Sequence, residues 1–166
     1  MFSEPPRIAR PALPAGKRTI VISDIHANLP YFLGLLKKIQ FSDDDLLILD
    51  GDFLEKGPDS LGTLHLIMEL AERGNVYPIL GNCDEWPVVF RRGKNGDAYM
   101  QHYLRKRRYG IIYEMLSAMG IDPVGTENLS EIYPKMVRQY SSEWAFLASL
   151  PHAIATENYI FVHAGL

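Results

Sequence analysis

Three short apolar segments in the first half of the chain constrain the fold more than any other feature. They occupy residues 18–23 (RTIVIS), 46–50 (LLILD) and 76–80 (VYPIL), and each is rich in aliphatic and β-branched side chains. Such runs are typical of buried strands. Successive runs begin about 30 residues apart, which is room for a crossover helix between parallel strands. The spacing therefore predicts a parallel sheet.

A helix is predicted in each gap between these strands. Residues 29–40 follow Asn28, a residue type that favours helix N-termini, and carry Pro30 in their first turn. Asp59 is suited to begin a second helix, which Gly74 ends. Helices in both crossovers predict an α/β fold in which they cover the sheet.

The pattern changes in the second half of the chain. Residues 97–119 predict one long helix, and residues 130–149 predict one or two more. Two short apolar runs, 152–156 and 159–163, predict a pair of strands joined by a tight turn. We therefore expect a helical insert followed by a hairpin.

Composition indicates one soluble globular domain. We assign residues 18–166 to it, preceded by a proline-rich arm of residues 1–17. No apolar run reaches the ~20 residues of a membrane span. A net charge of −3 argues against nucleic acid as a partner, although residues 91–108 are locally basic. The single cysteine, Cys83, and the absence of a signal-peptide pattern predict a cytoplasmic protein.

Polar side chains follow the predicted strands at the points where they end. The first three strands lead into Asp24 and His26, into Asp52, and into Asn82, and the last strand ends at His163. In open α/β sheets, ligands bind beyond the carboxyl ends of the strands. Carboxylate, amide and imidazole groups suit Mn, Fe, Zn or Mg. A carboxylate such as that of Asp52 can bridge two cations, an arrangement that suits in-line attack on phosphorus.

Each of these motifs also has an ordinary structural explanation. An Asp-x-His tripeptide is common by chance, and an aspartate after a strand is often only a helix cap. Their occurrence in one order, each at the end of a predicted strand, is far more specific. The pattern as a whole therefore indicates a site for two metal ions.

The motifs resemble those of a known superfamily. Asp24-x-His26, Gly51-Asp52-Phe53-Leu54-Glu55-Lys56-Gly57, Gly81-Asn82-Cys83-Asp84-Glu85 and Val162-His163-Ala164-Gly165 are similar to the motifs of calcineurin-like metallophosphoesterases. The chain most resembles the phosphoprotein phosphatase branch, which contains serine/threonine phosphatases and their bacterial relatives. The resemblance covers about residues 18–166. It implies an α-β-β-α sandwich, of which this chain holds the first part.

The resemblance also implies a ligand set and a reaction. Asp24 and His26 would bind the first of two divalent cations, Asp52 would bridge, and Asn82 and His163 would bind the second. Manganese, iron and zinc are the expected ions. A hydroxide that bridges the two ions would attack phosphorus directly.

Three residues in these motifs depart from the family. Cys83 stands where the family usually has a histidine that donates a proton to the leaving oxygen; a thiol can also donate, and the alternative is a small buried residue. Glu55 and Lys56 replace an Asp-Arg pair. We expect Glu55 and Lys56 to belong to the catalytic group with Cys83, and Lys56 to contact phosphate together with Asn82. The alternative for Glu55 and Lys56 is an exposed loop ion pair.

A further expectation concerns the C-terminus. The family uses at least one more metal-binding histidine on a later strand, and the sequence stops at Leu166, directly after the His163 motif. We therefore expect a truncated domain with an incomplete second sheet, in which the second metal site lacks a ligand and activity is weak or absent.

The sequence leaves three functions open. The first is a phosphomonoesterase similar to protein serine/threonine phosphatases, with a phosphoprotein as substrate. The second is a nucleotide hydrolase similar to symmetrical diadenosine tetraphosphatases, or a phosphodiesterase. The third is a degenerate member of the fold that binds a partner without catalysis. Oligomeric state is not predicted.

Overall fold

The first sheet is parallel, as its strand spacing predicts. The computed structural model describes residues 6–85, 104–106, 110–125 and 129–164. The sheet contains β2 (Thr19–Ile22), β3 (Leu46–Asp50) and β4 (Val76–Ile79), in the order β2-β3-β4 and parallel throughout. The carboxyl ends of all three strands therefore lie at one edge of the sheet.

The predicted crossover helices are present. Helix α1 (Leu29–Lys38) has Asn28 at its N-cap position but no side-chain cap hydrogen bond there. Helix α2 (Ser60–Ala71) begins after Asp59, whose carboxylate accepts the Gly62 N–H at 2.8 Å. The local cap predicted for α2 is thus confirmed.

A second sheet packs against the first one. It contains β1 (Ile8–Ala9), β5 (Ala153–Ala155) and β6 (Ile160–Val162), in the order β1-β5-β6. Strands β5 and β6 are antiparallel and form the predicted hairpin, whereas β1 pairs with β5 in parallel. Strand β1 was not predicted, and it places part of the N-terminal arm within the fold.

The two faces of β3 have different neighbours. Ile48 packs between the sheets with Ile79 and Ile154, all at most 1% exposed. Leu47 and Leu49 belong to the larger core that includes the inner faces of the helices. This arrangement is the α/β sandwich that the resemblance implies, with helices covering the first sheet and the second sheet on its other side.

The helical insert differs in one respect from the prediction. Helix α3 (Ile111–Ala118) begins after Gly110, whose backbone is extended with φ −95° and ψ 158°. A single helix over residues 97–119 is therefore wrong, because the chain leaves helical geometry at Gly110; residues 97–103 and 107–109 lie outside the described residues. Helices α4 (Leu129–Gln139) and α5 (Ser141–Ser149) confirm the second helical segment, which consists of two helices. In the described parts of the chain, no helix has the length and apolarity to cross a bilayer.

Candidate dimetal centre

Backbone hydrogen bonds hold the loops after β2 and β3 side by side. The Asp24 N–H donates to the Gly51 carbonyl at 3.1 Å, and the His26 N–H donates to the Asp52 carbonyl at 2.9 Å. These bonds continue the pairing of the two strands past their ends. They place the Asp-x-His motif directly beside the Gly-Asp motif.

Two glycines allow the remaining loops to approach Asp52. A Cβ on Gly51 would lie 2.6 Å from Cγ of His163 and 2.7 Å from Cα of Gly81, closer than van der Waals contact permits. A Cβ on Gly81 would overlap the Asp52 backbone and lie 2.5 Å from its Oδ1. The loops can therefore converge only because both positions lack a side chain.

The site residues adopt strained backbone conformations. Asp24, His26 and Asp52 have positive φ values of 55°, 48° and 53°, and Glu55 and Lys56 both have 67°. Non-glycine residues in this left-handed region cost on the order of 1–3 kcal/mol each and concentrate at functional sites. The strain is tolerated here because neighbouring loops fix the backbone.

The Asp52 carboxylate lies at the centre of the predicted ligands. Its side chain is buried, with Oδ1 3.3 Å from Nε2 of His163 and Oδ2 3.9 Å from Nε2 of His26. The Asp24 carboxylate is half-exposed and lies 3.4 Å from the same His26 nitrogen. Ligand atoms of Asp24, Asp52 and His163 all lie within 4.8 Å of one another. The structure thus brings these four predicted ligands together.

A hydrogen bond fixes the tautomer of His163. Its Nδ1 donates to the Asp50 carbonyl at 2.7 Å, which leaves Nε2 as the ring nitrogen that faces Asp52. This second hydrogen bond is typical of metal-binding histidines, because it orients the ring and makes the free nitrogen more basic. The corresponding contact of His26, from Nδ1 to the Leu54 carbonyl, is longer at 3.5 Å.

The surroundings of Asp52 favour its ionised form. Burial acts to raise its pKa, but hydrogen bonds from the Cys83 N–H and thiol and the nearby His163 and His26 imidazoles outweigh burial and lower it. The Cys83 N–H is 2.8 Å from Oδ1. Asp52 therefore presents an ionised carboxylate with each oxygen directed at a different imidazole, as a bridging ligand requires.

The Cys83 sulfur belongs to a second group of potential ligands. Its Sγ lies within 4.8 Å of ligand atoms of both His26 and Asp52. Burial, followed by its hydrogen bond to Asp52, raises the pKa of this thiol to about 11. The sulfur therefore retains its proton near neutral pH and is not a thiolate nucleophile.

Asn82 and Lys56 complete the rim of the site. Asn82 is exposed on the helical turn 82–85, and its amide donates to the Cys83 sulfur at 3.7 Å. The Lys56 ammonium is half-exposed, 3.1 Å from Nε2 of His26 and 3.9 Å from Oδ2 of Asp52. A cation at this position can neutralise the charge of an incoming phosphate.

Glu55 points away from this group. Its side chain is 1% exposed, and its carboxylate accepts the Ile111 N–H at the beginning of α3, at 3.1 Å. The described contacts therefore connect Glu55 to the helical insert rather than to the potential ligands. It remains next to Lys56 in the chain and can influence the site through the backbone.

Asp84 connects two loops of the site, the loop that contains Leu54 and the loop that contains Gly81. Its carboxylate is fully buried and accepts the Leu54 N–H at 2.9 Å and the Gly81 N–H at 3.0 Å. Burial raises the pKa of Asp84 to about 7, although both hydrogen bonds oppose this shift. These hydrogen bonds tie the loop after β3 to the loop after β4 behind the potential ligands.

The donor set fits two divalent cations that share Asp52. Carboxylates and imidazoles converge from separate loops, their nitrogens and oxygens face one another, and the Lys56 ammonium lies beside them. Such mixed oxygen and nitrogen donors suit manganese, iron or zinc. The Cys83 sulfur, which lies near ligand atoms of His26 and Asp52, is a softer potential donor.

Comparison with known proteins agrees with this geometry. A family described as calcineurin-like phosphoesterase matches residues 17–165. The chain is 40% identical over 63 residues to the symmetrical bis(5'-nucleosyl)-tetraphosphatase of Wigglesworthia glossinidia brevipalpis, which is 37% of this chain and 22% of that protein. It is 44% identical over 64 residues to the same-named protein of Buchnera aphidicola subsp. Schizaphis graminum, 38% of this chain and 23% of that protein. These matches thus span less than a quarter of the relatives' length.

Solved structures show the same fold. A proposed diadenosine tetraphosphatase superposes with a TM-score of 0.55 and 24% identity, over 97% of this chain and 55% of the other. A protein serine/threonine phosphatase from Saccharomyces cerevisiae superposes with a TM-score of 0.61 and 18% identity, over 96% of this chain and 42% of the other. The matched range 17–165 contains every potential ligand from Asp24 to His163, and the chain belongs to the calcineurin-like phosphoesterase family.

Proposed function

We propose that this chain carries the dimetal centre of a cytoplasmic phosphoester hydrolase that acts on dinucleoside tetraphosphates. The observation that carries the proposal is the buried Asp52 carboxylate, which faces His163 with one oxygen and His26 with the other. Two divalent cations, when bound there, supply Lewis-acid stabilisation of phosphate charge and acidify water. Manganese is the ion we expect first, with iron and zinc as alternatives.

Each residue has a defined task in this proposal. Asp24, His26, Asp52, Asn82 and His163 hold the cations, and the Asp50 carbonyl keeps the His163 ring in place. Lys56 and Asn82 contact phosphate oxygens at the rim. Cys83 remains protonated and donates its thiol proton toward the leaving oxygen.

The substrate class rests on the relatives. Proteins named symmetrical bis(5'-nucleosyl)-tetraphosphatase share 36–44% identity with the chain over 63–67 residues. A tetraphosphate bridge carries several negative charges, which the exposed Lys56 ammonium and two cations would attract. A phosphomonoester, including a phosphoprotein, is the second candidate, because residues 51–57 retain the charge order of the phosphoprotein phosphatase motif.

The decisive experiment combines metal content with a substrate panel. Purified chain is loaded with Mn²⁺, and bound metal per chain is measured with wild type, Asp52→Asn and the exposed-carboxylate control Asp44→Asn. Diadenosine tetraphosphate, p-nitrophenyl phosphate and bis-p-nitrophenyl phosphate are then assayed side by side. We expect wild type and Asp44→Asn to retain metal and to hydrolyse diadenosine tetraphosphate weakly but in preference to the other two substrates, and Asp52→Asn to lose both metal and turnover.

The alternatives predict different results. If the chain hydrolyses p-nitrophenyl phosphate in preference to the other substrates, it is a phosphomonoesterase rather than a dinucleoside tetraphosphatase. Stoichiometric metal without turnover of any substrate would contradict catalysis by this chain. Failure of the wild-type chain to retain metal would favour a partner-binding member of the fold.

A further inference from the structure

The N-termini of α2 and α3 each donate backbone hydrogen bonds to a glutamate from a distant segment of the chain. The Ile111 N–H, at the beginning of α3, donates to the Glu55 carboxylate at 3.1 Å. The Ser60 and Leu61 N–H groups, at the beginning of α2, donate to the two oxygens of Glu114 at 2.8 Å and 2.7 Å. At the beginning of each helix, backbone N–H groups thus donate to a glutamate that is 53 to 56 residues away in the sequence.

A serine closes these contacts into a ring. The Glu55 N–H donates to Oγ of Ser60 at 3.2 Å, and Ser60 is completely buried. The ring therefore passes from Glu55 to Ile111, along the first turn of α3 to Glu114, and back through Ser60. We name these four residues the clamp.

The clamp surrounds the most strained part of the site loop. Glu55 and Lys56 are consecutive non-glycine residues with φ of 67°, and such a pair is stable only where other contacts fix it. Relaxation of either residue would rotate the chain beyond Asp52 and withdraw the Lys56 ammonium from its place 3.9 Å from the Asp52 carboxylate. The Asp59 carboxylate accepts the Gly62 N–H of α2, whereas the Ser60 and Leu61 N–H groups depend on Glu114 from the helical insert.

We propose that Glu55 and Glu114 are positioning residues that tie the helical insert to the site loop and thereby hold the Lys56 ammonium over the metal centre. The proposal rests on the proposed function, in which Lys56 contacts a phosphate oxygen. It adds that Glu114 influences the phosphate affinity of the centre through its contacts with the beginning of α2, not through contact with phosphate. Glu114 is the informative residue, because it lies in α3 and is distant in sequence from every site motif.

The test is a double-mutant cycle with a matched control. Glu114→Gln removes one acceptor from the α2 N-terminus, Lys56→Gln removes the ammonium, and Glu143→Gln is the control. Glu143 is also a buried carboxylate with two side-chain partners, His65 and Ser142, but it lies on α5 outside the clamp. Affinity for inorganic phosphate is measured by calorimetry on the Mn²⁺-loaded chain, and backbone chemical shifts of residues 55 and 56 are measured by NMR on the metal-free chain.

We expect Glu114→Gln and Lys56→Gln to weaken phosphate binding by the same factor, about tenfold for a charge-assisted contact, and the double variant to be no weaker than either. Glu114→Gln should also remove the left-handed backbone shifts at residues 55 and 56, whereas Glu143→Gln should change neither readout. A Glu114→Gln protein that only melts at a lower temperature, with shifts and phosphate affinity intact, would overturn the proposal.

The same data separate this proposal from the proposed function. If Lys56→Gln leaves phosphate affinity unchanged while Glu114→Gln displaces the residue 55 and 56 shifts, the positioning stands and the phosphate contact of Lys56 is wrong. If the wild-type chain binds no Mn²⁺, the backbone shifts still decide whether the clamp fixes the loop.

Discussion

The His163 ring donates from Nδ1 to the backbone carbonyl of Asp50, at 2.7 Å. Asp50 is the last residue of β3, so a strand end sets the orientation of an imidazole that arrives from the opposite sheet. The acceptor belongs to the backbone and is unaffected by side-chain mutation. The geometry of the metal centre is therefore tied to the register between the two sheets, and perturbations of that register should appear as changes in metal binding.

Gly81→Ala should damage the centre without removing a ligand. The added Cβ would overlap the Asp52 backbone and force the third loop outward. We expect a loss of roughly 1–3 kcal/mol in the free energy of unfolding, as for other overpacked sites, and a clear loss of metal affinity. Denaturant titration and metal binding measure the two effects.

Gly34→Ala is the matched control for that change. Gly34 lies within α1, and a Cβ there would meet no atom within 4 Å. It should stabilise the protein by about 0.5–1 kcal/mol and leave metal binding intact. Equal metal affinity in both variants would refute the close approach of Gly81 to Asp52.

Cys83→Ala separates two roles of the thiol. If the thiol donates a proton, the variant should retain two ions per chain and lose turnover by about 10²-fold or more, the usual contribution of a general acid. Metal analysis and steady-state kinetics on the same preparation provide both values. Loss of one ion per chain, together with loss of a sulfur-to-metal absorption band in the Co²⁺-loaded protein, would instead make Cys83 a ligand.

The attachment of β1 should weaken in acid. The Arg7 N–H donates to Nδ1 of His152 at 2.9 Å, which requires that nitrogen to be unprotonated. Burial, followed by the charge of Arg7, lowers the pKa of His152 below its ordinary 6.5. The folded state thus binds fewer protons than the unfolded state, so this stability is complete above pH 6.5 and is lost as pH falls through the folded pKa. The Glu85 carboxylate, 3.9 Å from Nε2, opposes the shift only weakly.

Hydrogen exchange measures this effect locally. The His152 N–H, which donates to the Arg7 carbonyl at 2.8 Å, should lose protection between pH 7 and pH 5 after correction for intrinsic rates. The Leu47 N–H in the first sheet should show no such loss. His152→Gln should remove the pH dependence, and its persistence in that variant would assign it to another group.

The ion pair between Arg18 and Asp45, at the start of the first sheet, should also contribute less to stability in acid. Here the cause is the lowered pKa of a carboxyl group rather than of an imidazole. Two nitrogens of Arg18 each donate to an oxygen of Asp45 at 2.8 Å, and this hydrogen bonding lowers the pKa of Asp45 to about 2 from 3.8. The contribution is therefore present above pH 3.8 and is lost as pH falls through about 2. Asp45→Asn should lower the melting temperature at pH 7 but converge with wild type near pH 2. Asp43→Asn, an exposed neighbour, should lower it less at pH 7.

The elements that depend mainly on residues close together in the chain could be predicted from the sequence alone. The apolar runs around Leu46 and Val76 specify buried strands, and Asp59 specifies the beginning of α2. The convergence of Asp24 and Asp52 follows from a general rule, since parallel strands end at one edge. His163 instead arrives from β6 of the second sheet. These features needed only periodicity, turn residues and topology.

The rest depends on contacts between distant residues. Strand β1 is two residues long and lies among prolines, so no alternating pattern marks it. The break before α3 depends on one glycine in an otherwise apolar helical pattern, and isolated glycines are tolerated in helices. The bond between Glu55 and Ile111 spans 56 residues, and a glutamate that caps a distant helix has no local signal.

The two sheets also differ in when they can form. Neighbouring strands of the first sheet are consecutive in the chain, whereas Arg7 must find His152, 145 residues further along. On a ribosome, the first sheet can assemble early, while the N-terminal arm must wait until the segment around His152 has been made. Prolines at positions 6, 11 and 14 remove backbone donors from the waiting segment. They make it a poor template for strands of other nascent molecules, so the late-pairing arm is protected against aggregation by its own composition.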